Sequence, residues 1–400
     1  MSVRKRAWTT SKGEQKEAWI VDYTDQQGVR HIKTFDRKKD ADAYEAAVRV
    51  DVRAGVHTSS KATVAEAGKH WIASCKANGL EASTIESYQQ HLDDHIAPYI
   101  GAVKLSQLTV PSVRNFMDRL RADGRSPAMI KRVVGDLGSI LSDAQERGEV
   151  AQNVVRSLSK RRKRRESERR KKGKLKIGID IPTPAEIKSI VEHLEGRWRP
   201  LLLTAIFAGL RASEIRGLRW EDVDLKRGKV HVRQRADKFK MIGKPKSEAG
   251  ERTVPMPPIV VNALREWKLA CPKSERGLVF PTGAGEIEYH SNIVTRGLQP
   301  ALVRAGITVP VLDKHGKRVL GEDGKPAVAA KYTGLHALRH FYASWCINRK
   351  EDGGLGLLPK RVQERMGHSS ITITMDTYGH LFPSGDDGAE LAAAEQALLG

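Results

Sequence analysis

His336-Ala337-Leu338-Arg339-His340-Phe341-Tyr342 opens the stretch on which the reading of this chain turns; Gly367-His368-Ser369-Ser370 follows, and Thr377-Tyr378-Gly379-His380 closes it. Leu335, Leu338 and Phe341/Tyr342 recur at near-helical spacing, which predicts a helix from Leu335 to Trp345 with a core-facing stripe. His336 and Arg339 stand three residues apart and so share a helix face. An imidazole beside a guanidinium suits an anion, and Tyr378 beyond them offers a phenol as nucleophile. Tyr342 falls on the apolar stripe and is expected to be structural. Taken alone, the same residues also describe a helix with satisfied histidines, His340 among them.

Length and charge narrow the setting. A chain of 400 residues has room for two or three domains. Its 69 Lys and Arg against 48 Asp and Glu leave a net charge of +21, which favours a polyanionic partner, nucleic acid ahead of an anionic membrane. No apolar run reaches the roughly 18 residues of a membrane span. The basic start, Met1 to Arg6, has no apolar signal core behind it. Cys75, Cys271 and Cys346 are too scattered for a disulfide framework or a close metal cluster, as expected of a reduced, intracellular protein.

From the amino terminus, residues 17–35 alternate and turn. Trp19, Val21 and Tyr23 share one strand face, Asp25 to Gly28 make a turn, and Val29, His31, Lys33 and Phe35 begin the return strand with Ile32 opposite. Residues 39–53 predict a helix with Ala43, Ala46, Ala47 and Val50 as its apolar face. Two or three strands and one helix make a small domain over residues 1–57. Its Arg4, Lys5 and Arg6 are either a solvated basic surface or a sheet presented to DNA.

Residues 62–158 read as a helical domain. Trp71 lies in its first helix, and Thr84, Tyr88, Leu92 and Ile96 form a second stripe. Val113, Phe116, Met117 and Leu120 form a third. Ser126-Pro127, a cap and a first-turn proline, starts a fourth helix with Ile130, Val133/Val134, Leu137, Ile140/Leu141 and Ala144 inward. A basic joint follows over residues 159–177. From Lys160 to Lys176, 12 of 17 residues are Lys or Arg, and Lys160, Arg161, Arg162, Lys163, Arg164 and Arg165 are consecutive. Such a run repels itself when free and displaces counterions when laid on phosphate, so a linker on DNA is the expectation.

A domain over residues 178–385 begins with Thr183-Pro184-Ala185-Glu186, a cap, a first-turn proline and a capping-box acid. Leu201, Leu202, Leu203, Ile206 and Phe207 predict a buried helix. Gly209-Leu210-Arg211 then places an arginine where that helix ends, either paired to Glu214 or clamping phosphate with its planar fork. Val230 and Val232 alternate in a strand. Lys246 stands near a hairpin tip or edge ahead of Arg252-Thr253-Val254-Pro255. Residues 311–330 are a polar, glycine-bearing excursion with no chemistry assigned. Residues 386–400 form an acidic helical tail.

Arg211, Lys246, His336, Arg339, His368 and Tyr378 together make a set fit for phosphoryl transfer. No Asp/Glu-rich site suggests two-metal hydrolysis, and no phosphate-cradling Walker loop suggests nucleotide consumption.

On these motifs, in this order and separation, the chain resembles the tyrosine recombinase family, phage-type integrases above all. Ser247, where many relatives carry threonine, is a slight departure. The resemblance implies a multidomain α+β fold: an arm-type DNA-binding domain at 1–57, a helical core-binding domain at 62–158, and a mixed, mainly helical catalytic domain at 178–385. It implies that Tyr378 attacks the scissile phosphate and becomes joined to the DNA 3′ end. Arg211 and Arg339 hold the nonbridging oxygens, Lys246 protonates the leaving 5′ oxygen, His336 assists proton movement and His368 orients the phosphate. It implies no cofactor. The implied partners are double-stranded DNA with core and arm sites, a homotetramer around two duplexes, and helper proteins such as a host bending factor and an excision factor. The expected location is the cytoplasm, on bacterial host DNA. A chromosome-resolving recombinase, a type IB topoisomerase and a catalytically silent DNA-binding protein are the alternatives. The first of these resembles only the last two domains, so residues 1–57 favour the integrase.

Overall fold

The computed structural model describes residues 1–9, 13, 15–24, 30–53, 62–150, 152–160, 174–313, 315–321, 324–383 and 387–400. The chain divides into two compact units, Met1–Arg170 and Lys171–Gly400.

The first unit opens with an antiparallel sheet in the order β1 (Ser2–Thr9), β2 (Gln15–Thr24), β3 (Arg30–Phe35), backed by α1 (Lys38–Arg53). The two expected strands and the helix are present. The expected turn at Asp25 to Gly28 lies outside the described residues, and β1 is a third strand for which the sequence reading had left room. Val21 and Tyr23 are buried against Ala41 and Val48, with Trp19, Phe35, Tyr44 and Val52 around them. The expected alanine face of α1 is therefore corrected: Ala43 and Ala46 are exposed, and the inward stripe is Ala41, Tyr44, Val48 and Val52. An aromatic ring outweighs several methyl groups in buried area, and Tyr44 meets Phe35 with ring centroids 5.1 Å apart.

The helical part comprises α2 (Val64–Ala77), α3 (Ala82–His91), α4 (Ala97–Ile100), α5 (Val110–Ala122), α6 (Pro127–Glu146) and α7 (Val154–Lys160). Thr63 and Glu66 form a reciprocal capping box at the start of α2, and Ser126 caps α6 through the Met129 amide, each cap contributing about 1 kcal/mol. Every apolar residue expected inward on α5 and α6 is buried. The second stripe is real but bent: Leu92–Ile96 is wound as a π-helix between α3 and α4, which carries Leu92 and Ile96 into the core. The helix α7 exceeds the four expected and runs into the joint as far as Lys160. Arg161, Arg162, Lys163, Arg164 and Arg165 lie outside the described residues.

In the second unit, α8 (Pro184–Glu192) starts at the expected capping box: the Glu186 carboxylate accepts the Thr183 amide at 2.8 Å, and Thr183 Oγ1 accepts the Glu186 amide at 3.2 Å. The centre is α9 (Trp198–Ala208), whose Leu201, Leu202, Leu203 and Ile206 are buried. The helix α10 (Ala212–Arg216) follows at once. Strands β4 (Val223–Asp224), β5 (Lys229–Val232) and β8 (Arg252–Pro255) form an antiparallel sheet in the order β4-β5-β8. Between them β6 (Arg235–Ala236) and β7 (Ile242–Gly243) make a separate hairpin. The helix α11 (Pro258–Ala270) packs on α9. After a helical stretch over residues 290–298 comes α12 (Gln299–Arg304).

Residues 311–330 are more regular than an excursion suggests: their last three, β10 (Val328–Ala330), pair antiparallel with the preceding β9 (Thr308–Pro310), and Leu312 bridges to Arg318 and Leu320 to Pro326. Then come α13 (His336–Ile347), packed on α9, and α14 (Pro359–Met366), α15 (Ile371–Tyr378) and α16 (Asp387–Leu399). Tyr342 is buried, as its place on the apolar stripe requires. No helix among the described residues is long and apolar enough to cross a membrane.

Candidate active site

Two glycines set the frame. Gly209 ends α9 and Gly367 ends α14, both in the left-handed region at φ 59° and 62°. Side chains other than glycine rarely take that conformation. Space forbids one as well: a Cβ on Gly209 would lie 2.1 Å from the Tyr342 ring, and one on Gly367 would lie 2.8 Å from the Arg252 guanidinium. The helix-end carbonyls these turns release are then taken by arginines. Arg339 donates to the carbonyls of Gly209 and Met366. Arg211 donates to the carbonyl of Gly367 at 2.8 Å.

Glu214 ties the arginines together. It is 2% exposed. Its carboxylate accepts the Arg211 amide at 2.8 Å, the Arg211 guanidinium at 2.7 Å and the Arg252 guanidinium at 2.9 and 3.2 Å. Arg252 also donates to the carbonyls of Arg365 and Gly250. Burial opposes the charge on Glu214, but Arg252, then Arg339 and Arg211, more than offset it and hold the pKa at about 2. Arg339 is itself buried, and desolvation followed by repulsion from Arg211 brings it down to about 9, still protonated at neutral pH. The alternatives left open for Arg211, a salt bridge to Glu214 or a phosphate clamp, are compatible: the salt bridge is made, and the side chain remains about one-third exposed.

The rings assemble beside these cations. His336 and His340 meet edge to face with centroids 4.5 Å apart. His340 and Tyr378 are 5.7 Å apart, and the Tyr378 hydroxyl lies 2.7 Å from His340 Nδ1. His368 stacks parallel to Tyr378 at 6.2 Å and is oriented by Thr374, whose Oγ1 lies 2.9 Å from its Nδ1. Desolvation, reinforced by Arg339, lowers the pKa of His336 and His368, the latter to about 4. His340 also falls to about 4, through desolvation, then His336 and Arg339. All three imidazoles are therefore neutral near pH 7. Burial raises Tyr378 to about 12 despite the pull of Arg339 and Arg211. An anion seated between the two arginines would counter the cationic field on the rings.

The structure thus gathers Arg211, His336, Arg339, His368 and Tyr378. Lys246 takes no part in these contacts; it is exposed between β7 and the single turn at Glu248–Gly250. Of the other basic residues singled out, Arg4 pairs with Asp22 at 3.0 Å, Lys5 pairs with Glu17, and Arg6 is exposed.

Two members of the cluster escaped the sequence reading. Arg252 stands in the Arg252-Thr253-Val254-Pro255 motif, to which residue type alone gives no role. Period-two alternation places it on the face of Val254, which is buried, so an inward arginine was legible. His340 reads by type as a satisfied histidine, although four-residue spacing puts it on the face of His336.

A family model described as "Phage integrase family" matches residues 182–384, about half of the chain and the whole of this cluster, and a second, "Phage integrase, N-terminal SAM-like domain", matches residues 63–121. The chain belongs to the phage integrase family, and it is a tyrosine recombinase. Among its relatives, the tyrosine recombinase XerC-like protein of Caldanaerobacter subterraneus subsp. tengcongensis is 26% identical over 373 residues, 86% of each chain. The prophage integrase IntR of Escherichia coli is 25% identical over 66% of this chain and 60% of its own. In fold, the chain is similar to the Tn1549 transposon integrase in complex with transposon right end DNA, with a TM-score of 0.61 at 17% identity over 84% of this chain and 99% of that one. The lambda integrase tetramer bound to a Holliday junction gives 0.51 at 13% identity over 92% and 96%. The multidomain α+β fold is that of the family.

Proposed function

We propose that this recombinase integrates a mobile element or phage genome into a host chromosome through a 3′-phosphotyrosyl DNA intermediate. The observation that carries the chemistry is the Tyr378 hydroxyl set among neutral histidines beside Arg211 and Arg339, two guanidiniums that the Glu214 network holds in place. Charge grows on the nonbridging oxygens of a phosphate under attack, and donors positioned before the reaction need no reorganisation to meet it. Tyr378 attacks phosphorus, Arg211 and Arg339 hold the oxygens, and His368 orients the phosphate. Lys246, brought in by its exposed loop, protonates the 5′ oxygen as it leaves, and His336 assists proton movement. The 5′ hydroxyl of another strand then attacks the phosphotyrosine and rejoins DNA.

The domains take matching parts in this reading. Residues 62–158 bind a core site, residues 178–385 carry out the strand exchange, and the basic joint at 159–177 lies along phosphate. Residues 1–57, through Arg4, Lys5 and Arg6, bind arm sequences, with bending and excision factors as further partners. Leu391, Leu398 and Leu399 of α16 are exposed, which suits a tail at 386–400 that docks on a neighbouring subunit of a tetramer.

A chromosome-resolving recombinase is the second reading. The two family models match within residues 63–121 and 182–384, the part such enzymes resemble. One experiment tests both. DNA covalently trapped on the full chain in its host is sequenced, with Tyr378→Phe as control. The expected result is element ends joined to host sequence and no adduct with the phenylalanine variant. Recovery of a chromosomal resolution site instead moves the protein to the second reading. An undiminished adduct on Tyr378→Phe removes the nucleophile.

A further inference from the structure

We infer that His340 is the immediate proton acceptor of the nucleophile, taking the Tyr378 phenolic proton on Nδ1 as the bond to phosphorus forms. This rests on the reading of Tyr378 as nucleophile. It adds a catalytic residue and moves the first proton transfer off His336.

Geometry carries the assignment. Among the described residues, His340 Nδ1 is the hydrogen-bond partner of the Tyr378 hydroxyl, at 2.7 Å. His336, four residues earlier on the same helix, reaches His340 edge to face at 4.5 Å. The contacts run from Tyr378 to His340 and from His340 to His336. His368 covers the Tyr378 ring face, and its Nδ1 is engaged by Thr374.

The chemistry is consistent with that placement. For His340 to accept the proton, the Tyr378 hydroxyl donates across the 2.7 Å contact, with Nδ1 bare and the ring proton on Nε2. The groups that act on His340 are His336 and Arg339 from its own helix, Tyr378 across the hydrogen bond, and Asp180, which precedes α8. Desolvation and the Arg339 cation keep the imidazole neutral before substrate arrives. A phosphate between Arg211 and Arg339 offsets those cations and makes Nδ1 a better base when it is needed. In the forward step the Tyr378 oxygen–phosphorus bond forms and the phosphorus–5′ oxygen bond breaks. The phenolic proton passes to His340 Nδ1, and the leaving oxygen takes a proton from Lys246. In rejoining, the attacking 5′ hydroxyl gives its proton to the Lys246 amine as its oxygen bonds to phosphorus, the phosphotyrosine bond breaks, and His340 returns its proton to the phenol.

The test compares His340→Gln with His336→Gln in the full chain, on half-site duplexes that trap the covalent product. Tyr378 is tyrosine in one series and a ring-fluorinated tyrosine of lower pKa in the other. His340→Gln should slow single-turnover cleavage on the order of a hundredfold with tyrosine, and by only about tenfold with the fluorinated ring, because a more acidic phenol needs less help. A merely structural role predicts the same loss in both series. An equal loss overturns the assignment. So does wild-type cleavage by His340→Gln, or a fluorine-sensitive loss confined to His336→Gln. Tyr378→Phe runs beside them: an adduct that persists there overturns the nucleophile itself, whereas its disappearance with no His340 effect overturns only this inference.

Melting midpoints and half-site binding show whether each variant is folded. A second measurement leaves His340 in place. Nitrogen spectra of histidine-labelled protein should show His340 Nδ1 unprotonated and shifted by Tyr378→Phe. A protonated Nδ1, or one indifferent to that change, overturns the inference.

Discussion

Asp22 and Glu214 do the same thing in two places, and the difference between them separates decoration from machinery. Each carboxylate serves two arginines. Asp22, on β2, takes Arg4 at 3.0 Å and Arg30 at 2.5 Å, and those guanidinium side chains are 57% and 62% exposed. Glu214 takes Arg211 and Arg252, and the Arg252 side chain is 6% exposed. Water competes with every bond at Asp22 and salt screens it. Glu214 is itself shielded from solvent, and the arginines bound to it reach on to backbone carbonyls, two of them at a helix end. The buried acid therefore fixes the geometry of the candidate site, whereas Asp22 tunes how much positive charge a sheet displays.

The largest effect expected from this contrast is that of Glu214→Gln. Glutamine keeps the shape and removes the charge, leaving Arg252 and Arg339 buried without their counterion. Breaking a buried pair from one side costs about 3–5 kcal/mol. Urea denaturation should show a loss of that size, and covalent cleavage of half-site DNA should fail even where the protein is folded. If Glu214→Gln is no less stable than Asp22→Asn, the contrast collapses.

A smaller effect follows from acid. Glu214 titrates at about 2 in the folded chain against 4.5 for an ordinary glutamate. A depressed carboxyl pKa stabilises the fold fully above 4.5, and that contribution disappears as pH falls from 4.5 towards about 2. The gap corresponds to about 3 kcal/mol. The stability difference between the parent chain and Glu214→Gln, followed by denaturant midpoints, should therefore narrow through that window. A difference that stays constant on acidification would assign the stabilisation to shape and not to charge.

Much of this was legible in the sequence where one periodicity or one cap decides. The stripes of α5 and α6, the capping box at Thr183 and the α13 helix all follow from local rules. The site was legible as a list of residue types in order. The sequence did not show which carbonyls the arginines would take, because Gly209 and Gly367 are 158 residues apart and only the packed fold brings their helix ends together. Nor does helical spacing separate His336 from His340, since both lie on one face of α13; the family resemblance favours His336, and only the position of Tyr378 brings His340 forward. Alanine spacing does not give the face of α1, because the Tyr44 ring outweighs the alanine methyls in buried area.

The smallest effect sharpens the surface half of the comparison. Asp22→Asn removes one partly buried acid and releases its two exposed partners, Arg4 and Arg30. Because both guanidiniums are already hydrated, the melting midpoint of the full chain should stay where it is. Binding to nonspecific duplex should instead tighten at low salt, since two freed cations can each displace a condensed counterion. The plot of log affinity against log salt should steepen by roughly 1 to 2 units, at about 0.9 per phosphate contacted. A slope indistinguishable from the parent would mean that this edge of β1 and β3 does not face DNA, and Arg4, Lys5 and Arg6 would return to being a solvated surface. A fall in the melting midpoint with no change in slope would make Asp22 a structural acid like Glu214, and the distinction between the two would have to rest on Tyr378 alone.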